Sequence, residues 1–171
     1  FSDINVGFRA RTQLVDMDED GDLDLLVGNI RVIYYQNDGN NNFTIVTGDA
    51  NPFDEIYIGP RSTPQLVDLD SDGDLDLISG KYDGEIIYYM NDGDSGFSQQ
   101  IGMDNPFDGI DVGSRSSPQL IDVDNDSDLD LIVGDFSGRI VYYQYSDEGN
   151  FTLQLGTANP FDSIDVGYNS F

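Results

Sequence analysis

The sequence predicts an all-β fold made of three tandem units of four antiparallel strands, and three observations carry that prediction. The chain repeats itself: Gln13, Gln65 and Gln119 correspond, as do Tyr34-Tyr35, Tyr88-Tyr89 and Tyr142-Tyr143, and Phe43, Phe97 and Phe151. Its apolar runs are short, rich in Ile, Val, Leu and Tyr, and bounded by Gly, Asp and Asn, which is how strands read. No segment shows helical periodicity.

The third repeat shows the elements in order. Pro118–Asp122 is a first strand running into an Asp-rich loop, and Leu129–Gly134 is the strand that leaves it. Asp135–Gly138 is a turn with Gly placed for a hairpin. Arg139–Gln144 is a third strand, and Phe151–Leu155 a fourth after a polar turn. Four antiparallel strands in about 54 residues match the size of one β-propeller blade. The repeats span residues 1–52, 53–106 and 107–160, and 161–171 begins a fourth linker. The linker Asn-Pro-Phe-Asp recurs at 51–54, 105–108 and 159–162, with Pro holding it extended and Phe shaped as an apolar wedge. Phe1 to Gly7 match the residues that follow each linker Pro, so we read the chain as a processed product or a piece of something longer.

Each repeat carries five aspartates at alternate positions of a nine-residue loop. They are Asp16, Asp18, Asp20, Asp22 and Asp24; Asp68, Asp70, Asp72, Asp74 and Asp76; and Asp122, Asp124, Asp126, Asp128 and Asp130. Carboxylates packed so closely repel unless a cation sits among them. Hard oxygen ligands at loop positions 1, 3 and 5, with a turn Gly at position 6, suit Ca²⁺. The competing reading, a bare solvated acidic turn, does not account for the strict spacing or the repetition. A helical EF-hand is excluded, because its twelfth position should be Glu and here it is Val27, Ser79 or Val133. Three Ca²⁺ sites are therefore expected. In the third loop Ser127 replaces the turn Gly, at a cost of about 1 kcal/mol if the position needs a positive φ.

The run Pro64–Gly80, followed by Tyr88-Tyr89-Met90-Asn91-Asp92-Gly93, resembles the VCBS and FG-GAP family of calcium-binding repeats, which includes the blades of integrin α-subunit propellers. The resemblance implies β-propeller-type blades, with Ca²⁺ held between the first two strands by loop positions 1, 3, 5 and 9 and the backbone carbonyl of position 7. Three blades fall short of the four or more that a closed propeller uses.

Composition narrows the function. A net charge of −26 opposes nucleic acid and anionic membranes as partners. Leu, Ile, Val and Phe make up 49 of the 171 residues, enough for a folded core. With no His and no Cys, the usual bases and nucleophiles of neutral-pH catalysis are missing, and a non-enzymatic role is expected. The expectation is an extracellular or cell-surface, calcium-stabilised structural protein that self-associates or belongs to a longer array. An adhesion or carbohydrate-binding module is the alternative, and a polysaccharide-acting enzyme the less favoured third. Within each Tyr pair, one ring should pack on each face of its strand. Arg9, Arg61 and Arg115 hold one repeat position and are expected to anchor a carboxylate. Asn42 and Asn150, each opening Asn-Phe-Thr in the same turn, are candidate glycosylation sites. The sequon at Asn125 lies inside a metal loop and is read as chance.

Overall fold

A computed structural model describes residues 10–93, 96–146 and 149–167. Phe1 to Gly7 and Arg9 lie outside the described residues. The chain forms three separate four-stranded antiparallel sheets in sequence order, each a simple meander, and none closes into a barrel among the described residues. The first contains β1 (Arg11–Val15), β2 (Asp24–Gly28), β3 (Val32–Asn37) and β4 (Phe43–Ile45). The second contains β5 (Thr63–Val67), β6 (Asp76–Gly80), β7 (Ile86–Asn91) and β8 (Phe97–Gln100). The third contains β9 (Ser117–Ile121), β10 (Asp130–Gly134), β11 (Ile140–Ser146) and β12 (Asn150–Gln154). A 3-10 turn follows each sheet, at Gly48–Ala50, Gly102–Asp104 and Gly156–Ala158.

The third-repeat strands lie within two residues of the sequence reading: β9 and β12 sit one residue earlier, β10 starts one later, and β11 starts one later and runs two further. β11 begins at Ile140 rather than Arg139, because the Arg139 amide donates to the Asp135 carboxylate at 3.0 Å while Arg139 bridges to Asp165 in the linker. Matching bridges, Arg31 to Tyr57 and Glu85 to Asp111, hold the other two linkers against the β2–β3 and β6–β7 turns.

The second strand of a sheet is its centre. All five residues of β2 and of β6 are buried, as expected for a strand flanked on both sides and covered on both faces. The core lies between sheets rather than within one. Leu26, Val32 and Tyr34 of the first sheet meet Leu66 and Leu77 of the second around Phe53, Ile56 and Ile58 of the linker. Ile78, Ile86 and Tyr88 meet Leu120, Leu131 and Val133 in the same way around Phe107 and Val112. The linker wedge is real: Phe53 and Phe107 are 0% and 1% exposed. Phe53 stands edge-on to Tyr34 at 6.2 Å and leans on Phe97 at 5.0 Å, and Phe107 repeats this with Tyr88 and Phe151.

The Tyr pairs divide as expected. Tyr34 faces the second sheet while Tyr35 packs on the far face with Leu25 and Val27. Tyr88 faces the third sheet and Tyr89 the first.

The first strands β1, β5 and β9 lie side by side. They are joined by side chains instead of ladder hydrogen bonds. Gln13 donates to the Leu66 carbonyl at 3.0 Å and accepts from the Leu66 amide at 2.6 Å. Gln65 bonds both backbone groups of Leu120 in the same manner, at 3.4 and 3.0 Å. The sheets approach so closely here that a Cβ on Gly28 would lie 2.1 Å from Pro64, and one on Gly80 would lie 2.0 Å from the Ser116 carbonyl.

Candidate metal centre

Each Asp-rich loop joins the first strand of a sheet to its second. Asp16, Asp18 and Asp20 bring carboxylate oxygens within 4.8 Å of one another, and so do Asp68, Asp70 and Asp72, and Asp122, Asp124 and Asp126. These are loop positions 1, 3 and 5. Backbone hydrogen bonds shape the loop around them. Position 5 accepts from the amide of position 7, as from Asp22 to Asp20 at 2.9 Å, Asp74 to Asp72 at 2.9 Å and Asp128 to Asp126 at 3.0 Å. Position 1 accepts from the amide of position 6, from Gly21 at 3.1 Å, Gly73 at 3.2 Å and Ser127 at 3.2 Å.

Position 6 does adopt a positive φ, +93° at Gly21 and +100° at Gly73. Ser127 is held at +80° in the same place, a region that L-residues with a Cβ occupy only under strain.

The second oxygen of position 1 separates the loops. Oδ1 of Asp16 and Oδ1 of Asp68 are buried with no hydrogen-bond partner. A buried carboxylate oxygen left unpaired is costly, and a cation among the three carboxylates removes that cost. Asp122 differs, since its Oδ1 accepts from the Asn125 amide at 2.7 Å. The donor set of oxygens only, anionic and clustered in a tight turn, fits a hard divalent cation.

Position 9 turns inward. Asp24, Asp76 and Asp130 are fully buried at the head of the second strand. In each, Oδ2 accepts from a loop amide (Met17, Leu69 or Val123, all at 3.2 Å) and from a Tyr hydroxyl. The hydroxyls are those of Tyr34, Tyr88 and Tyr142, at 2.9, 3.0 and 2.9 Å. Oδ1 accepts from a third-strand amide, Asn37, Asn91 or Tyr145. Burial, with the carboxylate beside it, pushes each of these phenols far above its usual pKa. Burial also raises the Asp76 carboxyl, against the pull of its hydrogen bonds from Asn91 and Tyr88. The position-9 carboxylate thus ties the loop to the same Tyr whose ring packs between sheets.

Position 7 faces the turn before the fourth strand, where a Cβ on Gly39 or Gly93 would lie 2.4 Å from Asp22 or 2.5 Å from Asp74. Position 3 gains a partner the sequence did not announce. Gln36 donates to Asp18, and Gln144 to Asp124 at 2.5 Å, while Met90 holds that place in the second repeat.

The Arg expectation is corrected for Arg61, which pairs with no carboxylate among the described residues. Its guanidinium lies 4.8 Å over the Tyr82 ring, and Arg115 lies 4.0 Å over Phe136. Both residues sit at positive φ, 63° and 53°, which turns their side chains onto the neighbouring hairpin. Asn42 and Asn150 are exposed, just before β4 and at the start of β12. No helix is long and apolar enough to cross a membrane among the described residues.

The FG-GAP-like repeat model matches residues 16–79 and 68–133, more than half of the chain. A solved lectin from Agrocybe aegerita, described for its specific recognition of non-reducing terminal N-acetylglucosamine, shares the fold with a TM-score of 0.53 at 20% identity. The match covers 88% of this chain and 39% of the lectin's, so the chain spans well under half the length of that relative. No curated protein matches the chain in sequence.

Proposed function

The chain belongs to the FG-GAP-like repeat family, and from that premise we propose that it is a non-enzymatic, calcium-stabilised module of propeller-type blades with a structural, self-assembling role outside the cell. The observation that carries the reading is the unpartnered buried oxygen of Asp16 and of Asp68, each within an acidic triad. Positions 1, 3 and 5 of each loop would hold the ion, which supplies the positive charge that lets the triad stay ionised and the loop stay closed. Closure keeps the position-9 carboxylate on its Tyr, and that Tyr keeps the inter-sheet core in register.

The test is thermal melting in excess chelator and after adding Ca²⁺, followed by circular dichroism. Chelation should lower the melting temperature sharply and Ca²⁺ should restore it, with affinity in the ~10⁻⁴–10⁻³ M range of extracellular modules. Melting that ignores the chelator rejects the reading.

Glycan recognition is the second reading. It is favoured by what the Agrocybe aegerita lectin is described as recognising and by a cleft of about 270 Å³ in which Gln99, Gln100 and Asn105 gather beside the linker. A glycan array probed with the calcium-loaded chain tests it.

A further inference from the structure

The hairpins of the second and third sheets bring cations and aromatic rings together at the end of the strands away from the Asp loops. Arg61 and Arg115 precede β5 and β9, and Tyr82 and Phe136 follow β6 and β10, whereas the loops follow β5 and β9. The Arg61 guanidinium lies 4.8 Å over the Tyr82 ring, and Arg115 lies 5.7 Å from the same ring and 4.0 Å over Phe136. The matching turn of the first sheet, Asn29–Arg31, is two residues shorter and holds no aromatic residue.

The chain leaves Arg61 without an anionic partner among the described residues, and its Nη1 is buried with no hydrogen bond. The hairpin carboxylates pair within their own turns: Lys81 lies 3.0 Å from Asp83 and 2.6 Å from Glu85, and Arg139 lies 2.6 Å from Asp135. A guanidinium partly withdrawn from water with no acceptor is costly. The backbone adds to that cost, since Arg61 sits at a φ of 63°. Strain of this kind persists only where the surroundings enforce it, and it clusters at ligand clamps. Here the surroundings do enforce it. Ser62, 0% exposed, bonds the Gly59 carbonyl at 2.6 Å, and the Arg115 amide donates to the Tyr82 carbonyl at 3.0 Å. Cation and ring are therefore fixed before any ligand arrives.

Resting on the glycan reading above for what carries the anion, we propose that Arg61, stacked on Tyr82 and backed by Arg115, binds the single carboxylate of an otherwise uncharged saccharide. The ring takes a face of the guanidinium, which leaves the N–H edge to grip a carboxylate. The metal loops do not oppose this locally. The five residues of β5 keep its loop about 17 Å from Arg61, and charges are largely screened beyond about 8 Å at physiological salt. The net charge of −26 acts on the ligand as a whole. A polyanion is repelled in proportion to its charge, while a lone carboxylate meets that repulsion once. None of Arg61, Tyr82 and Arg115 lines the cleft beside Gln99 and Asn105, so the two places are separate.

The experiment is titration of the calcium-loaded chain with sodium D-glucuronate, D-glucose and tetraglutamate at constant ionic strength, followed by amide chemical shifts. Glucuronate should shift Arg61, Tyr82 and Arg115 saturably, and glucose should shift none of them. Arg61→Gly is the decisive variant. Glycine suits a φ of 63°, so this variant should melt at or near the wild-type temperature yet lose glucuronate affinity by at least about tenfold. Arg61→Lys keeps the charge without the fork and should fall between the two. A clearly lower melting temperature for Arg61→Gly with unchanged glucuronate binding would make the residue a structural brace and overturn the proposal. Equal binding of glucose, or tighter binding of tetraglutamate than of glucuronate, overturns it as well. The neutral-glycan array is read separately. Glucuronate binding at Arg61 supports this site even where no neutral glycan binds, and an array hit without any glucuronate effect overturns this site while the glycan reading stands.

Discussion

Replacing Tyr88 by Phe isolates the bond that joins a metal loop to the core. The Tyr88 hydroxyl donates to Asp76 Oδ2 at 3.0 Å, and its ring meets Phe107 edge-on at 6.1 Å. Phenylalanine keeps the ring, its volume and the contact with Phe107, so no cavity forms. What disappears is one of three hydrogen bonds to a carboxylate that is 0% exposed, with the others coming from the Leu69 and Asn91 amides. Hydrogen bonds to charged groups contribute about 1.5–3 kcal/mol. At about 2–4 °C per kcal/mol for a chain of this size, the melting temperature should fall by roughly 3–12 °C. Tyr89→Phe is the internal control, because the neighbouring Tyr89 ring is partly buried against the inter-sheet core and its hydroxyl bonds nothing among the described residues. Scanning calorimetry in saturating Ca²⁺ compares the two. Equal shifts, or no shift for Tyr88→Phe, would refute the claim that the hydroxyl holds the buried carboxylate.

Three further outcomes are expected. Ser127→Gly relieves the strained φ of +80° and should stabilise the calcium-loaded chain by about 1 kcal/mol, while Gly73→Ser should weaken its site by a similar amount; calorimetric titration showing the third loop binding tightest would contradict this. Gly80→Ala should destabilise strongly, read in a denaturant melt, because its Cβ falls 2.0 Å from the Ser116 carbonyl. Phe107→Ala should cost about 3–5 kcal/mol, seen as a lowered denaturant midpoint.

Much of the fold was legible because the sequence repeats it. The Asp loops, the strands that flank them and the Phe wedge each recur three times, and alternation along a strand alone divides the Tyr pairs between two faces. The partner of the Tyr34 hydroxyl was not legible. It depends on the β2–β3 register, which sets Leu26 opposite Tyr34 and so brings Asp24 within reach from two residues away. Gln13, Gln65 and Gln119 were visible as a recurrence without a role, since the role exists only once two sheets are side by side. The expectation failed for Arg61, which has no carboxylate partner among the described residues and whose positive φ turns it toward Tyr82.

The glutamine bridge bears on how such a chain lengthens or shortens over evolutionary time. Leu66 and Leu120 offer Gln13 and Gln65 only main-chain groups, so the hydrogen-bonded side of the joint makes no demand on the recipient's side chain. A duplicated repeat therefore arrives able to accept its neighbour on one side, and its own glutamine can reach the next recipient on the other. Gene duplication or deletion of a whole repeat leaves this joint chemically intact, so copy number can drift without coordinated substitutions at each boundary.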